Sequence, residues 1–353
     1  MTHAASLPTP TNVTETRPDT FAIQKPYLIF VGDTETKPEV KTAIGVRDWA
    51  RDDCVAQWRL TPAAYNLGLP DLGPSDAYAR GARSLLIGVA PVGGDLPNAW
   101  VDSLLQALEA GLDLVSGLHS RLSEIDVLAK AATRLGRRMH DVRHSDRPFP
   151  IATGKKRSGK RLLTVGTDCA LGKKYTALAL ADALRVRGIS ADFRATGQTG
   201  VMIAGSGVAI DAVVSDFIAG AAETLSPSAA SDHWDVIEGQ GALFHPAYAG
   251  VALGLLHGSQ PDAMVLCHDP ARATVNGYPD YPLPSIEEAM AANLAFARRT
   301  NPNAQFVAIS LNTSAMTEIV ARGHAREMER RFDLPVFDPM RFGIEAAVDR
   351  VLA

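Results

Sequence analysis

The segment 162–175, LLTVGTDCALGKKY, restricts the folds open to this chain more than any other stretch. Residues 161–165 read as a buried strand, and residues 175–186 have the spacing of a helix with an apolar face. Between them stands a short loop that opens with Gly166 and closes with Gly172-Lys173. A loop passing directly from strand to helix turns successive N–H groups inward, while the helix N-terminus and the lysine add positive charge. Gly172 lets the backbone approach an anion closely. The expectation is an α/β parallel sheet with a phosphate cradle lined by Gly166, Thr167, Asp168, Cys169, Ala170, Leu171, Gly172, Lys173, Lys174 and Tyr175. The plainer alternative is a structural turn.

Strand and helix signals alternate along the rest of the chain, which implies parallel pairing through helical crossovers. At 353 residues the chain is too long for one ordinary core, so two domains are expected. Residues 1–20, rich in Thr, Pro and Ala, read as a disordered leader. Residues 21–148 read as a small Rossmann-like parallel sheet, with strands at 27–31, 84–90 and 112–117 and helices at 99–110 and 125–135. The first strand ends in a functional-looking turn, Gly32-Asp33. Residues 149–160, where Pro and Gly alternate with Lys155, Lys156, Arg157 and Lys160, read as a solvated linker. Residues 161–353 form the P-loop domain, with further strands at 191–195, 234–237, 263–267, 305–311 and 335–337. Helices are expected at 208–222, 286–300 and 317–332.

The loop opening Gly166-Thr167-Asp168 resembles that of dethiobiotin synthetase, with one departure. A P-loop nucleotidase carries Ser or Thr after the lysine to ligate Mg²⁺, and here that position is Lys174. An ammonium cannot ligate a cation, so no metal is expected and the cradle suits a pyrophosphate held without one. Alternatively, Lys174 points away and another residue holds Mg²⁺.

Two more clusters follow strand ends, where open α/β sheets bind ligands. In 194–200, Arg194 offers a bidentate carboxylate clamp, and Thr196, Gln198 and Thr199 offer neutral donors on what reads as a glycine-rich turn. In 237–246, Glu238 holds the usual acidic position after the strand and is the first candidate for general base, with His245 the second. Gln240 is a further substrate contact, and the N–H groups of 239–241 would steady an oxyanion. Arg272 is a second candidate clamp, and the proline-rich 278–284 reads as an irregular lid or wall. Each has a bland counterpart: a tight turn, a structural histidine or a surface ion pair. Cys169 reads as a small side chain in a tight loop rather than a nucleophile.

A net charge of −4 gives no reason to expect nucleic-acid or membrane binding. No apolar run is long enough for a membrane span. Cys54, Cys169 and Cys267 are too few and too scattered for a disulfide framework or a zinc cluster, which fits a cytoplasmic setting.

With motifs at 166–174, 195–200, 238–246 and 257–272, the chain resembles the D-glutamate N-acetyltransferase family, which pairs a Rossmann-like domain with a P-loop domain. The resemblance implies acetyl-CoA as co-substrate, D-glutamate as acceptor, and a place in D-amino acid catabolism. A homo-oligomer, with a dimer favoured, is also expected. Both points suit the residues: acetyl-CoA presents a pyrophosphate without transferring a phosphoryl group, and a dicarboxylate needs cations. The rival readings are an ATP-dependent ligase or kinase acting on a small carboxylate, and a nucleotide sensor without turnover.

Overall fold

A computed structural model describes residues 23–353 except Val92, Asp146 and Arg147; the expected leader lies outside the described residues. The first sheet is built from β1 (Tyr27–Gly32), β2 (Cys54–Arg59), β3 (Ser84–Ile87), β4 (Asp113–Ser116) and β5 (Met139–Asp141). Its order is β2-β1-β3-β4-β5, with every pairing parallel. The helices α1 (Lys41–Trp49), α2 (Pro74–Ala79), α3 (Val101–Glu109) and α4 (Asp126–Leu135) connect these strands. β1 is wholly buried, as a central strand covered on both faces must be. The Gly32-Asp33 turn is not open: Trp100 Nε1 donates to Asp33 Oδ1 at 2.9 Å, and the buried indole packs against Gly32.

The second sheet starts with β6 (Lys160–Gly166), which feeds α5 (Lys173–Val186). Then follow β7 (Ala191–Arg194), α6 (Gln198–Ala204), α7 (Ile218–Leu225), β8 (Trp234–Ile237), α8 (Ala249–Ser259) and β9 (Ala263–His268). A hairpin of β10 (Thr274–Val275) and β11 (Tyr278–Pro282) comes next. The chain closes with α9 (Ile286–Ala297), β12 (Gln305–Leu311), α10 (Glu318–Phe332), β13 (Val336–Phe337) and α11 (Ile344–Leu352). The order β13-β12-β9-β6-β8-β7 puts β6, and hence the phosphate loop, inside the sheet. Alternate residues of β6 serve opposite faces: Leu162 joins a core shared with the first sheet, and Leu163 and Val165 join a second core under α7, α8 and α9.

Three expectations change, and a fourth is refined. Residues 196–200 are not merely a turn: Gly197 caps α6, which shapes that edge of the site. Residues 208–222 do not form one helix, since two short 3₁₀ turns precede α7. The β-branched pair Val213-Val214 is extended there, in keeping with its poor fit to a helix. The proline-rich 278–284 is not irregular throughout, because Asn276-Gly277, a pair favoured in two-residue hairpin turns, folds β10 onto β11. The basic linker stays largely exposed, as expected, but it is tied down at two points: half-buried Arg157 donates to Ser226 O and Gly258 O, both at 2.7 Å, and Glu223 accepts from the N–H groups of Thr153 and Gly154.

The two sheets are not independent bodies. α1 packs on α6, Tyr27 OH donates to Met202 O at 3.0 Å, and the buried Arg143 donates to Asp211 across the boundary.

Candidate functional site

The phosphate loop leaves β6 at Gly166, and Thr167 N–H donates to Cys267 O of neighbouring β9 at 3.1 Å. Asp168, fully buried, organises the turn. Its Oδ1 accepts from Cys169 N–H at 2.7 Å, and its Oδ2 accepts from Arg272 and from Asn276 N–H of the hairpin, both at 2.8 Å. Ala170 takes a positive φ of 52° and Gly172 one of 103°. That backbone path explains the glycine immediately before Lys173. The ammonium of buried Lys173 donates to Asp168 O at 2.7 Å and so lies inside the curl of the loop. Burial lowers its pKa. The Cys169 thiol is pushed up, mainly by burial and against the charge of Lys173, so it is held protonated.

Glu238, at the end of β8, sits beside this loop and is 4% exposed. Its Oε2 accepts from Thr196 N–H at 3.0 Å and Gly197 N–H at 3.3 Å. Burial nevertheless pushes its carboxyl up to about 7, against the opposing pull of Lys174 and of those two N–H groups. Lys174 feels the reciprocal influence: burial lowers it to about 8, while Glu238 pulls the other way. Following Glu238, Gly239 presses against β6, and a Cβ there would stand 1.7 Å from Thr164 O. Gly239→Ala should therefore cost about 1–3 kcal/mol or more through forced backbone movement. The measurement is the melting temperature, expected several degrees below wild type; an unchanged value would show that the strand end yields freely.

Several expected site residues are engaged elsewhere. Arg194 donates to Asp235 at 2.7 Å and pairs with Asp192 at 3.2 Å, so its guanidinium turns back along the sheet instead of toward the loop. Arg272 is a brace, bonding Asp168 and Cys169 O at 2.7–2.8 Å. Neither is a free carboxylate clamp. Thr196 Oγ1 donates to Glu238 O at 2.6 Å, and Gln240 donates to that hydroxyl at 3.2 Å. Gln198 packs on Gly117, just past β4 of the first sheet, and Thr199 Oγ1 donates to Thr42 Oγ1 at 3.2 Å. Tyr175 OH donates to Asp48 of α1 at 2.8 Å instead of facing the cradle. Gly239 N–H is committed to Thr164 Oγ1 at 2.9 Å and is unavailable to an oxyanion.

His245 is buried, stacks on Tyr248 at 4.5 Å and meets the edge of Tyr278 at 5.2 Å. Ala247 N–H donates to its Nδ1 at 3.1 Å, which leaves the proton of the neutral ring on Nε2. That nitrogen is a donor without a partner among the described residues, 4.0 Å from Asp168 Oδ1. It is therefore placed to donate, and the base role expected of His245 has no acceptor nitrogen to serve it. Asp168, Cys169 and His245 bring ligand atoms within 4.8 Å of one another. Asp168 itself is held by three donors, from the loop, from Arg272 and from the hairpin.

What the sequence reading missed is α1. Thr42, Gly45 and Asp48 touch Thr199, Lys174 and Tyr175, although no local motif links residues so far apart in the chain.

Residues 59–145 match a family described as DUF1611_N, a Rossmann-like domain, and residues 150–348 match DUF1611_C, a P-loop domain, both of unknown function. A protein of Tritonibacter scottomollicae named D-glutamate N-acetyltransferase is 49% identical over 94% of this chain and 99% of its own length. A second of that name, from a Pseudoalteromonas species, is 44% identical over 92% of this chain and 98% of its own. The crystal structure of a DUF1611 family protein from Anabaena variabilis superposes with a TM-score of 0.84 at 32% identity, covering 93% of this chain and 99% of that one. Identity at this level across both domains, with the fold retained, places the chain in the D-glutamate N-acetyltransferase family.

Proposed function

We propose that this protein transfers the acetyl group of acetyl-CoA to the amine of D-glutamate, as a cytoplasmic homo-oligomer serving D-amino acid catabolism. The relatives' shared name supports the acceptor. The observation that carries the chemistry is that buried Glu238, its carboxyl raised to about 7, stands in the field of Lys174, at the position where a nucleotidase keeps its metal-binding hydroxyl.

The loop's residues fit a pyrophosphate: the turn through Ala170 and Gly172 curls around the buried Lys173 ammonium. Lys173 and the loop N–H groups hold the phosphates of acetyl-CoA, which supplies a thioester carbonyl when bound. Lys174 provides the positive charge that Mg²⁺ provides elsewhere. Glu238 takes the proton of the substrate ammonium and so frees the nitrogen lone pair for attack. In this reading the Nε2–H of His245, unpartnered among the described residues, donates to the oxygen that gains charge.

The test is a panel of D- and L-amino acids with acetyl-CoA, followed by release of free thiol. D-Glutamate is expected to stand out, without phosphate release from ATP. Excess EDTA should leave the rate unchanged, because Lys174 stands in for the metal. Loss of activity in EDTA with recovery on adding Mg²⁺ would instead favour the ATP-dependent ligase or kinase.

A further inference from the structure

With Arg194 and Arg272 engaged, the reading above leaves the carboxylates of the acceptor without a cation, and the first domain without a part in the chemistry. The contacts of α1 address both. Gly45 lies against the ammonium of Lys174: a Cβ at that position would stand 2.6 Å from Nζ and 2.8 Å from Thr199 Cγ2. Thr42 bonds Thr199, and toward the other end Asp48 accepts from Tyr175 OH while Trp49 meets the Tyr175 ring edge-on at 5.7 Å. α1 therefore runs across the start of α5, with its first turns over Lys174 and its last over Tyr175.

Lys41 is the first residue of α1, one turn before Gly45 and on the same face of the helix. Its side chain is exposed and makes no hydrogen bond or ion pair with another described residue. One turn from Gly45, which lies against the Lys174 ammonium, Lys41 stands on the side of α1 that faces the start of α5. The phosphates are already served by the loop N–H groups and Lys173. An amine delivered to Glu238 arrives beside Lys174, and the substrate's side-chain carboxylate lies only a few bonds away.

We propose that Lys41, from the first domain, receives the side-chain carboxylate of the amino-acid substrate and sets the preference for an acidic side chain. The proposal rests on the functional reading above and adds a specificity residue to it. It also makes the first domain a working wall of the site.

The test compares D-glutamate with D-glutamine, which keeps the shape and removes the charge, on full-length wild type, Lys41→Met and Lys41→Arg. Binding is read by calorimetry and turnover by thiol release. In Lys41→Met, the dissociation constant and KM for D-glutamate should rise about tenfold, as for loss of one charged hydrogen bond. The preference over D-glutamine should shrink by the same factor, with KM for acetyl-CoA unchanged; Lys41→Arg should restore most of the preference. An unchanged preference in Lys41→Met would overturn the assignment. So would a rise confined to KM for acetyl-CoA, which would give Lys41 to the donor. Failure of the functional reading registers separately, as wild-type enzyme that releases no thiol with D-glutamate, while the calorimetric comparison still reports on Lys41.

Discussion

Glu238→Gln should lower kcat by about 10²–10⁴ while leaving acetyl-CoA binding nearly unchanged. Near neutral pH the acceptor amine is almost wholly protonated, and only the free amine attacks a thioester. Glu238 is suited to remove that proton, because burial raises its carboxyl to about 7 while two N–H groups hold one of its oxygens in place. Glutamine keeps the shape and the carbonyl acceptor for Thr196 and Gly197 but cannot take a proton. The wild-type rate should climb as pH rises through about 7, and the variant should lose that acidic limb. Stability should move the other way. The folded carboxyl titrates above its unfolded value, so the folded state binds more protons between about 4.5 and 7, and stability falls as pH rises through that window. Glu238→Gln should flatten this slope. A variant that keeps most of its kcat would move proton removal to another group.

Lys173→Ala should raise the KM for acetyl-CoA about 10- to 150-fold, the equivalent of a charge-assisted hydrogen bond of about 1.5–3 kcal/mol. The ammonium is buried at the centre of the loop, where its attraction for a phosphate is little screened. The same ammonium bonds Asp168 O, so part of the loss could come from a loosened loop. Two measurements separate the causes. Loss of phosphate attraction raises KM for acetyl-CoA with the melting temperature and KM for D-glutamate nearly unchanged, whereas a collapsed loop lowers the melting temperature and impairs both substrates. Unchanged affinity for CoA would remove the loop from the donor site.

The local parts of this protein were legible in its sequence. A buried strand, a glycine-bounded loop and a helix are short-range patterns, so β6, the loop and α5 could be read from residues 161–186, as could Glu238 at the end of β8. Asn276-Gly277 was a readable hairpin signal, hidden by the prolines around it.

Side-chain engagement was another matter, because it depends on which long-range partner arrives. Arg194 follows a strand end as a carboxylate clamp would, yet buried Asp235 on the neighbouring strand takes its guanidinium. Arg272 likewise closes on Asp168, a hundred residues earlier in the chain, since a buried carboxylate must be paired. The proton on His245 follows from one backbone N–H, that of Ala247. The clearest case is α1. Nothing between residues 41 and 49 names a ligand, and only the docking of the first sheet on α5 and α6 lays Gly45 against Lys174. The sequence by itself determined where the strand–loop–helix turn would form and which acid stands beside it. The tertiary structure decided which cations remain free to meet a substrate, because buried charges are claimed by whatever partner the packing brings within reach.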